Sequence, residues 1–183
     1  MFRFLKRKAW EWYEKVFRPI PEEFHSFETG KPFTECIECN GDLTDEDSDY
    51  VIEKGFHENE VIFEYAMCED CAKGFRCELS KESLKHVKRM LRRPKMKETT
   101  DGCRMCALPR HELLSYTIIG SCVGPTMMYW SFPMLICGDC MEKILEGLSK
   151  QSRDAFDDFE ERNFPGPPAS ELDIPRPKRV MLV

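Results

Sequence analysis

Ten cysteines stand in 183 residues, and eight of them fall into four CxxC pairs: Cys36 and Cys39, Cys68 and Cys71, Cys103 and Cys106, Cys137 and Cys140. Thiolates are soft ligands, and two such pairs about 30 residues apart are the spacing of a four-sulfur metal site. A zinc ion takes four ligands tetrahedrally, and each CxxC turn brings two sulfurs to one side of it. Four protein ligands leave no position for water or substrate, which marks a structural rather than a catalytic metal. The economical pairing is Cys36, Cys39, Cys68 and Cys71 around one Zn²⁺, and Cys103, Cys106, Cys137 and Cys140 around a second. Iron on the same thiolates, as in rubredoxin-like electron carriers, is the alternative. A cubane cluster is disfavoured because the triple-Cys run it uses is absent. Cys77 and Cys122 are left over and read as small buried hydrophobes.

The remaining chemistry is sparse. His25, His57, His86 and His111 are scattered and read as surface or turn residues. No His falls in the 113–136 hairpin or the 141–148 helix, so the His-Asn-His nuclease pattern is not met. No phosphate-cradling glycine loop and no nucleophile elbow is present. No catalytic residue emerges from the sequence.

The elements that must position the thiols repeat. Counting from Cys71 and Cys140, Leu79 matches Leu148, Ser80 matches Ser149, Lys81 matches Lys150 and Ser83 matches Ser152. Upstream, Phe63 matches Phe132 and Met67 matches Ile136. The chain is a tandem duplication of a unit of about 60 residues, a size whose small core makes folding depend on metal. Within each unit a CxxC turn comes first and alternating apolar residues follow as a hairpin (Tyr50 and Ile52, then Val61, Phe63, Tyr65 and Met67). The second CxxC opens a helix, 72–75 in one unit and 141–148 in the other. Its N-terminus offers amide donors and a positive dipole end, which favours thiolates there. Ser80 and Ser149 are N-caps of a second helix, over 81–93 and 150–163. Leu84, Val87, Met90 and Leu91 share a face of the first; Phe156 and Phe159 mark the other.

Knuckle, hairpin and ligand-bearing helix in this order resemble the treble-clef zinc fingers over residues 33–75 and 101–148. The resemblance implies a small, metal-stabilised α+β fold of two tandem zinc-finger units and says almost nothing about function. The first knuckle has the expected glycine, Cys39-Asn40-Gly41. The second, Cys106-Ala107-Leu108-Pro109, lacks it and is expected to be distorted.

The expected organisation is an N-terminal amphipathic helix and linker (1–33), a first four-cysteine zinc unit with a basic C-terminal helix (34–100), a second four-cysteine zinc unit (101–164) and a proline-rich disordered tail (165–183). Phe2, Leu5, Ala9, Trp12 and Val16 recur at helical spacing, with Phe17 adjoining. That helix either docks on the zinc units or, through residues 1–18 and their basic face, contacts a membrane surface. Ile174-Pro175-Arg176-Pro177 in the tail reads as a short peptide ligand. No signal peptide precedes the first unit, so a reducing, cytoplasmic setting is expected. The uncharged stretch 113–138 is long enough to span a bilayer, but Gly120, Gly124, Pro125 and Pro133 break it. It reads as two strands, 115–122 and 127–136, not as a transmembrane helix.

Charge is segregated around the total of −6. Residues 34–84 are strongly acidic, whereas 85–97 carry seven Lys and Arg. Lys88, Arg89, Arg92 and Arg93 are the candidates for nucleic acid or an acidic partner, against the favoured reading of a solvated helix face or a C-terminus whose cations complement the helix dipole; nucleic acid is further disfavoured by the overall charge and by the lack of stacking aromatics. Met128, Tyr129, Trp130 and Phe132 lie close together on an uncharged hairpin and form the candidate protein-binding patch, if they do not pack between the units. The function that fits is a non-catalytic zinc protein acting as a protein-interaction adaptor.

Overall fold

The computed structural model describes residues 16–92, 99–129 and 132–165. Seven strands form one sheet: β1 (Phe17–Pro19), β2 (Asp49–His57), β3 (Glu60–Cys68), β4 (Thr99–Cys103), β5 (Ser115–Val123), β6 (Thr126–Met128) and β7 (Met134–Cys137). Four helices follow the hairpins in pairs: α1 (Glu69–Glu78) and α2 (Lys81–Leu91), then α3 (Gly138–Glu146) and α4 (Lys150–Asn163). The fold is small and α+β, as expected. Most of the amphipathic N-terminal helix, the stretch 93–98, Trp130 and the proline-rich tail beyond 165 lie outside the described residues.

The strands form for an ordinary reason. Tyr50, Val51, Ile52 and Phe56 in β2, and Ile118 and Ile119 in β5, are β-branched or aromatic and fill both sides of a half-buried sheet. What local pattern does not show is that these two strands are neighbours. β2 pairs with β3 on one edge and with β5, antiparallel, on the other. The β2–β5 register matches Tyr50 with Cys122 and Phe56 with Tyr116, centred on Glu53 opposite Ile119. Since Tyr50 and Tyr116 are the second residues of their strands, this register is that of a two-fold symmetric dimer. The two halves meet as two copies of one unit would, through their first hairpin strands.

The helices cross the same axis. α1 packs against α4 of the other half, and α2 against α3. Phe75 of α1 lies 5.0 Å from Phe156 and 5.6 Å from Phe159, and Phe159 also meets Tyr65 edge-on at 5.5 Å. Burying a side chain such as Phe159 contributes about 1.5–3 kcal/mol. In the α2–α3 contact the His86 ring occupies the place of a Cβ on Gly147, so a larger residue there would have to displace the ring.

Four serines close the axis. Ser80 and Ser149 cap α2 and α4 as expected, each accepting the N–H of the Ser three residues on. The caps also interlock. The Ser80 N–H donates to Ser152 Oγ (3.0 Å) and the Ser149 N–H to Ser83 Oγ (2.9 Å). Ser149 Oγ donates to Ser80 Oγ at 3.0 Å. Ser83 and Ser152 are buried. The repeated serines therefore satisfy each other's helix ends as well as their own.

Two expected elements differ. Phe17 belongs to β1, which pairs with β6 through Phe17 opposite Met128, so no helix extends to that residue. The second arm of the uncharged hairpin is not one strand over 127–136. It is split into β6 and β7, which bond to opposite ends of β5. Beyond β1, residues 20–31 cover the face of the sheet away from the helices. Phe24 is fully buried there against Gly120. Glu23 clamps this segment to the second half, accepting from Thr100 Oγ1 at 2.7 Å and Arg110 at 2.6 Å. The Lys54 ammonium sits buried beneath it, paired with Glu64 at 3.0 Å.

Candidate metal centres

Each cluster is built from a turn and a helix start. The Cys36–Cys39 turn is held by Asn40 N–H to Cys36 O (2.8 Å) and Cys36 N–H to Gly41 O (2.9 Å). The Cys103–Cys106 turn has the same two bonds, from Ala107 N–H to Cys103 O and from Cys103 N–H to Leu108 O, both 2.8 Å. The expected distortion of the second knuckle is therefore absent. Both turns place one residue in the left-handed region, Asn40 at φ +55° and Ala107 at φ +66°. Asn tolerates this well; alanine adopts it at a cost of about 1–2 kcal/mol. The closed hydrogen-bond pattern overrides that local cost.

Each turn is then stitched to its hairpin. The Ile37 N–H donates to Ala66 O (2.9 Å) and the Arg104 N–H to Leu135 O (2.7 Å). Cys68 and Cys137 are the N-caps of α1 and α3, so Cys71 and Cys140 fall in their first turns. The sequence reading of the second CxxC pairs as helix starts is what the structure shows.

The result is two groups of four sulfurs, Cys36, Cys39, Cys68 and Cys71, and Cys103, Cys106, Cys137 and Cys140, the sulfurs of each within 4.8 Å of one another. Among the described residues these are the groups able to hold a metal ion, and no His, Asp or Glu completes either. Cys39 and Cys68 sulfurs stand 3.8 Å apart, Cys106 and Cys137 sulfurs 3.7 Å. The edge of a tetrahedron with metal–sulfur bonds of about 2.3 Å is about 3.8 Å, whereas a disulfide needs about 2.05 Å. The residues present fit a tetrahedral thiolate-bound metal.

The protonation pattern differs from the sequence expectation that the helix cysteines are the thiolates. Burial alone would raise Cys36, but the N–H groups of Cys68, Cys39 and Glu38 outweigh it and bring the thiol down to about 7. Cys103 is brought down to about 4 by the Cys137 thiol and, against burial, by the N–H groups of Cys137, Cys106 and Met105. Burial raises Cys68 and Cys71, with hydrogen bonds from neighbouring sulfurs adding to the rise at Cys71. The Cys103 sulfur and burial raise Cys137, and burial with the Cys103 charge pushes Cys140 up to about 12. The N–H of each helix cap, Cys68 or Cys137, points at the first knuckle sulfur at 3.4 Å. The helix start thus favours the thiolate on the knuckle rather than on itself.

Comparison with family models, curated proteins and solved structures finds no match for this chain. The two centres therefore rest on their own geometry.

The other candidate residues are placed as follows. Lys88, Arg89 and Arg92 lie at the surface on the last turns of α2 and beyond, and Arg93 lies outside the described residues. Met128 is half-buried, and so are Tyr129 and Phe132, which pack against the core; the Arg18 guanidinium lies 4.6 Å above the Tyr129 ring. Trp130 lies outside the described residues. Cys122 is buried, as expected, and burial pushes its thiol up to about 12; Cys77 is exposed on α1, contrary to expectation, because the buried stripe of that helix passes through Ala72 and Phe75. Among the described residues no helix is long and apolar enough to cross a membrane. The uncharged stretch forms strands instead. Sequence reasoning missed Glu23 and Arg110, which tie the N-terminal segment to the second half; neither carries a motif.

Proposed function

We propose that this protein is a non-catalytic scaffold of two treble-clef-type units, each held by a structural Zn²⁺, and that it works by binding a protein partner. The observation that carries this is the pair of four-thiol clusters, the sulfurs of each within 4.8 Å of one another and one edge of each at 3.7–3.8 Å, the length a tetrahedral thiolate site requires. Four thiolates per ion leave no open coordination position for a substrate. Zinc is preferred to iron because the second sulfur pair of each cluster lies on a helix start rather than in a second knuckle, as rubredoxin-like sites have it.

Metal analysis of the purified full chain tests the metal half: two zinc atoms per chain and a colourless solution are expected. A red protein containing iron would replace the zinc reading with electron transfer. Capture of partners by the full chain, compared with a Trp130→Ala variant and with a variant neutralised at Lys88, Arg89 and Arg92, tests the other half. Salt-sensitive RNA capture lost only in the second variant would replace the adaptor reading with nucleic-acid association.

A further inference from the structure

The two clusters have the same ligands and different surroundings. In the second, Cys103 is 0 %, Cys137 3 % and Cys140 4 % exposed, and only Cys106 is half-buried. In the first, Cys36 alone is buried, Cys68 and Cys71 are half-buried and Cys39 is exposed. The cause lies in the strands leading into the knuckles. β4 runs straight into Cys103 and pairs with β7, Thr99 opposite Met134 and Cys103 opposite Leu135, which adds a strand beside the second centre. The matching stretch before Cys36 forms a single bridge, Glu35 with Asp42, and β3 stays at the sheet edge. The covering helix is also weaker in the first half. α1 carries Gly74 in its interior, facing open space, and buries only Ala72 and Phe75, whereas α3 buries Cys140, Met141 and Ile144. An interior glycine costs a helix about 1 kcal/mol.

From this asymmetry, and resting on the zinc reading above, we infer that the first cluster is an exchangeable metal site, while the second holds its ion permanently. A thiolate-bound ion leaves when a competing ligand reaches a sulfur at the surface. Cys39 offers that point of attack on the first ion. On the second ion the corresponding sulfur, Cys106, is half-buried and the other three are buried, so a competing ligand meets less sulfur surface and full release waits for local opening. The ligand class is a divalent cation that accepts four thiolates, such as Zn²⁺ or Cd²⁺.

The first site also contacts the other half. Glu38, between its two knuckle cysteines, accepts from Asn163 Nδ2 at 2.7 Å and from Arg162 at 3.3 Å. Both donors sit at the end of α4. Phe75, on the helix that Cys68 caps, packs on Phe156 and Phe159 of the same α4. These contacts tie the first site to α4, a helix of the second half.

The test uses the full chain loaded with two zinc ions, mixed with excess of a chromophoric chelator, with an alkylating agent added in parallel and the labelled cysteines identified by mass spectrometry. Two phases of one zinc each are expected, at least about tenfold apart in rate. Cys36, Cys39, Cys68 and Cys71 should label in the fast phase, and Cys103, Cys106, Cys137 and Cys140 only in the slow one. Exposed Cys77 labels at once and serves as the internal standard. A single phase, or earlier labelling of the second set, overturns the inference while leaving the two-zinc reading intact. A chain that loads no zinc overturns both, and the metal content measured before mixing tells that failure from the others.

Discussion

Acid should strip these centres with a steepness fixed by their proton inventory. In the metal-free chain, Cys68 and Cys71 in the first cluster, and Cys137 and Cys140 in the second, hold their protons at neutral pH because their pKa values are raised. Binding a divalent ion requires thiolates, so each site must release at least these two protons. The apparent affinity of either site should therefore fall by at least about 100-fold for each unit of pH lowered near neutrality, about 1.4 kcal/mol per proton. The sign follows from mass action: protons compete with metal, so binding weakens as pH falls. The two sites should then diverge. Cys36, at about 7, begins to take up its own proton below neutral pH and adds a third proton to the slope of the first site. Cys103, at about 4, stays a thiolate throughout that range and adds none until the solution is far more acidic. Between about pH 7 and 5 the first site should lose affinity roughly tenfold faster per pH unit than the second. Calorimetric titration with zinc in buffers of different ionisation enthalpy counts the protons, and chelator competition from about pH 5 to 8 gives the slopes. Release of fewer than two protons per ion, or a steeper slope at the second site than at the first, would refute this account of the clusters.

Two further outcomes bear on the fold. Ala107→Gly removes the left-handed strain of the second knuckle at the cost of a more flexible unfolded chain, so it should leave the zinc-loaded protein unchanged or stabilised by up to about 1 kcal/mol, measured as the urea midpoint; a loss of about 1 kcal/mol or more contradicts the strain argument. Ser152→Ala takes the acceptor from the Ser80 N–H at the crossing of the two halves and should cost about 1–3 kcal/mol, with Ser83→Ala costing a similar amount for the Ser149 N–H. In the double variant the two effects should depart from additivity, since the four hydroxyls form one network; strict additivity would mean the caps act separately.

Much of each centre was legible in the sequence, and the reason is local. CxxC turns, the helix starts at Cys68 and Cys137 and the caps Ser80 and Ser149 all depend on residues within a few positions of each other. The α+β character followed from the same short-range periodicities. The pairing of β2 with β5 joins residues about 66 positions apart at its centre, beyond the reach of any local pattern. A hint was present: Tyr50, Val51 and Ile52, like Ile118 and Ile119, are apolar in succession, as a strand covered on both faces and paired on both edges should be. The buried pair Glu53 and Lys54 hid that pattern in β2, because charges normally mark a solvated face. Each Ser-x-x-Ser has a sufficient local role as a helix cap, which conceals its second role at the interface between the halves. β6 and β7 merged in the sequence into one apolar run, and only their different partners, β1 for one and β4 for the other, separate them.

The antiparallel seam at Glu53 and Ile119 also bears on how the chain is made. A ribosome delivers β2 well before its second neighbour. At about 5–20 residues per second, the 66 residues between equivalent points of β2 and β5 take about 3–13 s to emerge. Through that interval the nascent first half presents the bare edge of a long apolar strand. Its helix α1 meanwhile waits for the aromatic face of α4. The edge is shaped by its register to accept a copy of itself. Two nascent chains on neighbouring ribosomes could join there in place of their own second halves. In such a pairing Asp49, preceded by Asp45, Glu46 and Asp47, would face His57 and the turn of Glu58 and Glu60 of the other chain, so like charge meets like at both ends of the seam and opposes the wrong pairing.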